Sequence, residues 1–558
     1  MSAGKSRHWV VLFAVAAAVV ATMTVGGTSA PTTPAWFSLL PPLLSVALAL
    51  LVRNVIVALF AGVWLGAWGL HGLNLAGLWQ SLLSVVDVHV RGALVDDDHA
   101  AILIFSFLIA GMVGIIRRNG GLHGAVEGIV RRVRSRRDAQ VATATLGLAV
   151  FFDDYANLLV VGNAMKPVTR KLRISSAKLA YLIDSTAAPV ASLAFATTWI
   201  GFEVGLIDEA TAGLADFGTG AYGIFLRTLP YSFYPILTLV LVFAIAASGR
   251  DFGPMRTSES LSLAADPKEA AASDEGDLGR SSHALNAIVP IVVLVGSLLI
   301  GLFVTGGVEA GPGAGLGETI GAGDSFRSLM WASLLSVLAA GALTLIQGLL
   351  SLEQIVEAWA DGLGSLLFGL TTLVLAWALA GTTEALGTGT YLASLLGPGF
   401  PDGLLPALIF VLAAVIGFAT GSAWGTMAIL MPVAIPTVWA QVAPAGQFAA
   451  ASAPVFYGAI AAVLGGGVFG DHCSPISDTT VLSSAVSGCP HLEHVRTQLP
   501  YAMVAGSATI AVSTATATTG LNPWLGVALG AAAILFLVRR IGRVPVRPSS
   551  RPTFQPTR

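Results

Sequence analysis

Charged residues are scarce in this chain: aspartate, glutamate, lysine and arginine make up only 11% of its 558 residues. Soluble domains carry about a quarter charged residues, so a soluble protein of this length could not cover its surface with so few. The hydrophobic residues, 55% of the chain, fall into blocks of roughly 15–25 residues, which is long enough to cross a bilayer as helices. We therefore interpret the chain as a polytopic membrane protein.

Other absences narrow the function. The chain has only two cysteines, Cys473 and Cys489, so it has no disulfide framework and no repeated Cys or His spacing of a zinc site. It also lacks a Gly-rich Walker loop, which argues against a nucleotide-driven pump. A net charge of −2 without a basic tract predicts no nucleic-acid partner. We expect a non-enzyme without a cofactor, whose partners are the lipid bilayer and transported ions, and we leave a homodimer open.

Basic residues orient the chain, because Lys and Arg in short loops stay on the cytoplasmic side. A basic loop over 117–137 and the arginine-rich tail after Leu537 are placed inside, with both termini, and hydrophilic residues near the middle split the chain. The predicted segments are an N-terminal helix at 1–36, a first repeat at 37–247, a hydrophilic cytoplasmic linker at 248–284, a second repeat at 285–520, and a last helix with a basic cytoplasmic tail at 521–558. The first helix is interpreted as an uncleaved signal anchor, and a signal peptide cleaved near Ala30 is the alternative.

Residues Ala139 to Met165 are flanked by basic residues on both sides, which predicts a re-entrant hairpin with its tip near Asp153; a single crossing is the alternative. A second hairpin is predicted at 404–440, and prolines break one later helix in each half. The fold class is thus all-α, with about 12 transmembrane helices in two inverted repeats, each with a re-entrant hairpin and a broken helix. The predicted helices are 9–25, 38–52, 55–71, 100–116, 178–205, 222–247, 285–305, 326–350, 365–384, 452–487, 500–518 and 522–541.

Aspartates inside these apolar segments are the strongest functional signal. Each costs about 2.5–3.5 kcal/mol at the bilayer centre, so Asp153 and Asp154 together require partners or a wet cavity. Neighbouring residues project about 100° apart on a helix, and which of the two faces an ion stays open. Asn157 offers a carbonyl oxygen on the same segment, and Asn163 is a secondary candidate.

Asp184 starts a second polar group in the first half. It is followed by Ser185 and Thr186 and then by Pro189, which removes a helix hydrogen bond and frees a carbonyl. A carboxylate, hydroxyls and carbonyls form an all-oxygen site of the kind that hard cations such as Na⁺ prefer. Hydroxyls that bond back to carbonyls of their own helix are the alternative for the serine and threonine.

The second half repeats this chemistry around a proline break, with cation- and proton-binding candidates at Asp471, Ser474, Ser477, Asp478 and Thr479. We place Na⁺ at Asp184, Asp471 and Asp478. The secondary candidates here are His472, Thr420, Ser422 and Thr426. Glu203 and Glu384 lie near helix ends, and we interpret both as solvated interface residues.

Four stretches resemble the NhaC-type sodium/proton antiporter family of the ion-transporter superfamily, over residues 37–520. They are FFDDYAN from Phe151, DSTAAPVA from Asp184, GFATGSAWGT from Gly417 and FGDHCSPISDTT from Phe469. The resemblance implies exchange of Na⁺ for H⁺ driven by an ion gradient. The family also includes exchangers of organic acids and amino acids.

These observations lead to one hypothesis and two alternatives. The leading hypothesis is a secondary antiporter of the cell membrane, in which Na⁺ and H⁺ compete for buried aspartates during alternating access. A Na⁺- or H⁺-coupled exchanger of organic acids or amino acids is the alternative, although no embedded arginine sits at the motifs to bind an anion. An intramembrane aspartyl protease is disfavoured, because Val468 breaks the G-x-G-D pattern.

Overall fold

The computed structural model describes residues 36–52, 54–121, 124, 133–195, 197–214, 220–264, 283–309, 319, 323–388, 391, 394–395, 400–443, 448–475 and 477–546. The predicted first helix at 9–25 lies outside the described residues, as do linker residues 265–282 and the end of the tail. Within the described ranges the regular structure is helical, and Asp251 and Arg543 form an isolated antiparallel bridge. The all-α prediction is confirmed.

The first half contains two apolar helices, a short amphipathic segment, a hairpin, a broken helix and a bent pair. Its helices are α1 (Leu40–Val52), α2 (Val55–Leu70), α3 (Leu75–Ser84), α4 (Asp97–Arg118), α5 (Arg136–Ala149), α6 (Asp154–Lys171), α7 (Ser176–Asp184), α8 (Ile200–Thr211), α9 (Ala221–Thr228) and α10 (Phe233–Ser248). Asn54 caps α2 by accepting from the Val57 N–H at 3.1 Å, which explains why that helix begins there.

The second half begins with a helix inside the predicted linker and continues with long apolar helices. These are α11 (Gly253–Ala264), α12 (Leu285–Glu309), α13 (Ser325–Ile346), α14 (Leu352–Ala385), α15 (Leu405–Thr420), α16 (Ala423–Val442), α17 (Ala453–Cys473), α18 (Asp478–Ser487), α19 (His491–Thr519) and α20 (Pro523–Ile541).

Eight helices in the described part of the chain are long and apolar enough to cross a membrane, or nine if the bent pair at 221–248 counts as one span. The predicted count of twelve therefore stays a prediction. Both α15 and α16, the arms of the second hairpin, are among the eight. That hairpin is thus long enough to be two spans, whereas the sequence predicts a re-entrant loop there.

The first hairpin consists of α5 and α6, and its open ends lie side by side. A guanidinium N–H of Arg136, at the start of α5, donates to the carbonyl of Leu172, just after α6, at 3.1 Å. The second hairpin turns at Gly421, whose φ of +68° is a left-handed conformation that favours glycine. Its first arm packs closely on α17, because a Cβ at Gly470 would lie 2.6 Å from the Cα of Gly417.

Both predicted broken helices are broken in the structure. The first ends at Asp184, and a four-residue helix at Ala188–Ala191 follows with a proline in its first turn. The second ends at Cys473, and α18 restarts after residues 474–477. Each half therefore has a hairpin followed by a broken helix, while the inverted orientation of the two repeats stays a prediction.

The segment predicted as a linker contains α11, which is packed against the transmembrane part. Glu259 on α11 has no exposed surface and accepts from Arg136 at 2.5 Å and from the Ser175 N–H at 2.7 Å. These contacts join α11 to the open end of the first hairpin and to the start of α7. The sequence did not predict this helix, because its apolar residues are too few to stand out.

A buried ion pair lies beside Glu259. Asp251 pairs with the ammonium of Lys178, and the two side chains are 2% and 0% exposed. The Tyr501 hydroxyl also donates to Asp251, at 2.7 Å. We name Arg136, Lys178, Asp251 and Glu259 the paired-charge cluster; its two bases and two acids join α5, α7, α11 and the chain after α10.

Candidate functional site

Four aspartates line a small cavity of about 70 Å³ at the centre of the motifs singled out in the sequence. The tips of both hairpins and the second helix break meet there. We name it the four-aspartate cavity, after Asp153, Asp154, Asp471 and Asp478. No lysine, arginine or histidine of the described residues lines it. Its remaining lining residues are Tyr155, Thr198, Trp199, Leu366, Phe368, Gly369, Gly421, Ser422, Ala423, Trp424 and Thr479.

Asp153 and Asp154 differ in how their oxygens are used. Asp153 caps α6: its Oδ1 accepts from the Ala156 N–H at 2.7 Å, and its Oδ2 accepts from the Thr198 hydroxyl at 3.1 Å. Asp154 is 2% exposed, and its Oδ1 has no hydrogen-bond partner within the described ranges. Asp153 therefore fixes the tip of the first hairpin, and Asp154 leaves an oxygen available.

Asp471 is held by the helix break that follows it. One carboxylate oxygen accepts from the Ser477 hydroxyl at 2.7 Å, and the other accepts from the Thr479 hydroxyl at 3.0 Å. Each carboxylate oxygen has a second lone pair, so these bonds leave room for a cation. Asp478, in the first turn of α18, is exposed and is the most accessible of the four aspartates.

Asp184 does not line the cavity. Its Oδ2 accepts from the Gln498 side chain at 2.6 Å and lies 3.3 Å from Nε2 of His494. The same Gln498 amide donates to the carbonyl of His472 at 2.6 Å, and the His472 ring bonds to the Ser185 hydroxyl at 2.8 Å. The structure thus separates Asp184, Ser185 and His472 from the aspartates with which the sequence grouped them.

The neutral candidates fall into different surroundings. Ser422 lines the cavity and caps α16 through the Gly425 N–H at 3.1 Å. Asn157 braces the hairpin by donating to Gly147 O at 2.7 Å and to Thr186 O at 2.9 Å. Asn163 is exposed, on the outer side of α6. Buried hydroxyls that bond back to their own helix are those of Thr186, Thr420 and Thr426.

The remaining predicted residue, Ser474, is fully buried at the second break, where its N–H donates to the carbonyl of Asp471 at 3.1 Å. Sequence reasoning missed His494 and Gln498 as partners of Asp184. They are four apart in the first turns of α19 and therefore lie on one face of the helix, but the neighbouring residues are polar too, so the sequence offered only a weak signal. It also missed Trp199 and Trp424, whose rings meet edge to face over the cavity at 5.5 Å between centroids.

Comparison with known proteins now places the chain. The sequence profile of the Na⁺/H⁺ antiporter family matches residues 190–517. The chain belongs to the Na⁺/H⁺ antiporter family. The match includes the second hairpin and the second break, and Asp153, Asp154 and Asp184 precede it. An uncharacterized Haemophilus influenzae protein is 30% identical over 511 residues, covering 90% of this chain and 95% of the relative.

Other similar proteins are transporters. A Bacillus subtilis malate-2H⁺/Na⁺-lactate antiporter is 30% identical over 122 residues, 19% of this chain and 24% of that protein. The Alcanivorax borkumensis YdaH transporter is 16% identical at a TM-score of 0.52, over 81% of this chain and 91% of that one. Neisseria gonorrhoeae MtrF, from a class of antimetabolite efflux pumps, is 17% identical at a TM-score of 0.51, over 88% of this chain and 97% of that one. These two likenesses establish a shared transporter fold for this family member.

Proposed function

We propose that this multi-pass membrane protein exchanges Na⁺ for H⁺ across the cell membrane at the four-aspartate cavity by alternating access. The observation that carries the proposal is the concentration of four carboxylates around one cavity that has no base among its described lining residues. Several ionised carboxylates in one low-dielectric space repel each other, so a bound cation or protons must neutralise them. A carboxylate that holds a proton no longer attracts Na⁺, and this competition couples the two fluxes.

The geometry of the aspartates suggests a role for each. Asp154 contacts the ion in our proposal, because one of its oxygens is buried and unused, whereas both oxygens of Asp153 hold the hairpin tip. Asp471 adds a carboxylate from the opposite side of the cavity, and Asp478 admits ions from the exposed side. Asp184 then acts through the polar network around His494 and Gln498, not as a direct Na⁺ ligand.

The size of the cavity favours an inorganic cation. Pockets for small organic ligands usually enclose about 300–1,000 Å³, and this one encloses about 70 Å³. A buried water requires roughly 10–15 Å³ of such space, so an ion with a few waters fits. The lining residues that the structure describes also include no base that could pair with an organic carboxylate.

The test is transport by the purified protein in proteoliposomes that contain a pH-sensitive dye. Under a Na⁺ gradient we expect proton movement in the opposite direction, weaker movement with Li⁺, and none with K⁺ or in protein-free vesicles. Transport that is equal for all three cations, or absent with Na⁺, would overturn the proposal. An imposed membrane potential distinguishes electroneutral from electrogenic exchange in the same assay.

A second candidate function is coupled exchange of small organic acids, with the same cavity as the cation site. It is favoured by the similarity of 122 residues to the Bacillus subtilis malate-2H⁺/Na⁺-lactate antiporter. The same vesicles, loaded with malate and diluted into lactate, test it. Na⁺-coupled proton movement that requires one of these acids would replace the leading proposal with this one.

A further inference from the structure

A second acidic site lies outside the four-aspartate cavity, at Glu203 on α8. The sequence predicts a solvated interface residue here, but Glu203 is 0% exposed. Neither of its carboxylate oxygens has a hydrogen-bond partner in the part of the chain that the structure describes. The site is therefore a fully buried carboxyl group that the aspartate mechanism does not use.

Glu203 lies close to the cavity along its own helix. Trp199, which lines the cavity, is one turn earlier on the same face, and its carbonyl accepts from the Glu203 N–H at 3.0 Å. Four residues correspond to a rise of about 6 Å. The other end of α8 carries Asp208 and Glu209, and Glu209 lies 3.2 Å from Nε2 of the buried His99. Glu203 thus lies on α8 between the cavity and an acidic helix end.

Among the described residues, no charged group bonds to or pairs with Glu203. Four helices pack against α8, and α16 carries no titratable side chain. None of the titratable groups on the other three bonds to or pairs with Glu203. These groups are Tyr222 and Arg227 on α9, Glu353, Glu357, Asp361 and Glu384 on α14, and Asp97, Asp98, His99, Arg117 and Arg118 on α4.

An ionised carboxylate in such surroundings would be both desolvated and unpaired, which is among the most unfavourable placements in a folded protein. We propose that Glu203 holds a proton in this conformation and is a proton-binding site separate from the cation cavity. It passes that proton to a cavity aspartate when Na⁺ leaves, and the ionised Glu203 takes another from the acidic end of α8. This inference rests on the proposed Na⁺/H⁺ exchange.

The test compares Glu203→Gln with Glu384→Gln, which alters an exposed glutamate on α14. Infrared difference spectra recorded at saturating Na⁺, where the cavity aspartates are ionised, should contain the carbonyl band of a protonated carboxylic acid, and Glu203→Gln should remove it while Glu384→Gln keeps it. In vesicles, Glu203→Gln should retain exchange of labelled Na⁺ for Na⁺, which needs no proton, and should lose at least tenfold in Na⁺-driven proton movement. If it does not insert, Glu203→Asp should insert with the band shifted and proton movement partly retained.

The outcomes separate the two proposals. An unchanged carboxylic-acid band or unchanged proton movement in Glu203→Gln would overturn the Glu203 site and leave the Na⁺/H⁺ proposal standing. Loss of Na⁺/Na⁺ exchange together with proton movement would also count against it, because Glu203 would then belong to the cation site. If the wild-type protein moves no protons with Na⁺, but Glu203→Gln still removes the carboxylic-acid band, only the antiport proposal is refuted.

Discussion

The four-aspartate cavity and the paired-charge cluster are both unusual for a membrane protein, and they differ in the sign of their charges. The described lining of the cavity contains four acids and no base, whereas the cluster pairs two bases with two acids through direct hydrogen bonds. A balanced cluster satisfies itself and holds helix ends together. In a group of acids without bases, the repulsion between the negative charges is relieved only when a cation or a proton binds. Charge balance, more than burial, therefore distinguishes the paired-charge cluster from the cavity that we propose as the transport site.

The largest expected effect is a loss of stability on mutation of the paired-charge cluster. Asp251→Asn should destabilise the protein by about 3–5 kcal/mol, because it leaves Lys178 buried without a counter-charge. The measurement is thermal unfolding of the detergent-purified protein. The matched control is Lys178→Met combined with Asp251→Leu, which removes both charges and should recover most of the loss. Equal unfolding temperatures for Asp251→Asn and wild type would contradict the structural role.

Removing a charge from the four-aspartate cavity should lower transport without lowering the stability of the protein. Asp154→Asn, and likewise Asp471→Asn, should lower Na⁺-driven proton movement by at least about 100-fold, because loss of even an outer-shell partner of a bound metal costs about 10–100-fold. Unfolding temperature should stay equal or rise, because repulsion among the aspartates is relieved. Asp153→Asn keeps an oxygen for the helix cap and should show a smaller loss of transport. Lower stability in Asp154→Asn would mean that the cavity is also internally balanced.

Na⁺ should stabilise the folded protein by binding at the four-aspartate cavity. At ten times its Kd, Na⁺ should stabilise the wild type by about 1.4 kcal/mol, because only the folded state binds it. The effect should shrink as pH falls, since protons then occupy the same carboxylates. Thermal unfolding in NaCl and in equal choline chloride measures it. Asp154→Asn should show no difference between the salts, while stabilisation that persists in this variant would place the site elsewhere.

The smallest effect is expected at a solvent-exposed ion pair. Glu493 and Arg496 lie 3.5 Å apart, with side chains 33% and 69% exposed. Glu493→Gln should change stability by less than about 1 kcal/mol, because water and salt screen such pairs. Unfolding temperatures in low and high salt measure it. A loss as large as that of Asp251→Asn would show that charge pairing stabilises this protein regardless of burial.

Local sequence signals predicted much of the fold. Apolar blocks located the long helices, basic flanks located the first hairpin, and prolines located both helix breaks. They failed where the signal was weak or distributed. The polar helix α11 lacks an apolar run and was not predicted. Helix α19 begins at His491, whereas the predicted helix begins at residue 500, and the missed polar turns supply His494 and Gln498 to Asp184.

The sequence predicted the individual residues of the candidate site better than it predicted which of them lie together. Asp153 and Asp154 stood out because of the energetic cost of acids inside an apolar segment, and Asp471 and Asp478 stood out beside a proline break, with Ser422 and Thr479 as neutral candidates. The sequence could not separate Asp184 from this group, since its partners His494 and Gln498 are 310 and 314 residues away. Glu203 was misplaced at an interface for the same reason: its burial depends on helices from both halves of the chain.

By itself, the sequence determined that this protein is helical, membrane-embedded and rich in costly acids at helix breaks, because hydropathy, proline and charge act locally. Tertiary structure alone decided which acids share a cavity, which are paired with bases and which are buried without a partner. Those distinctions depend on contacts between residues far apart in the chain. The sequence shows that charged residues are few, and the tertiary contacts between them decide what each one does.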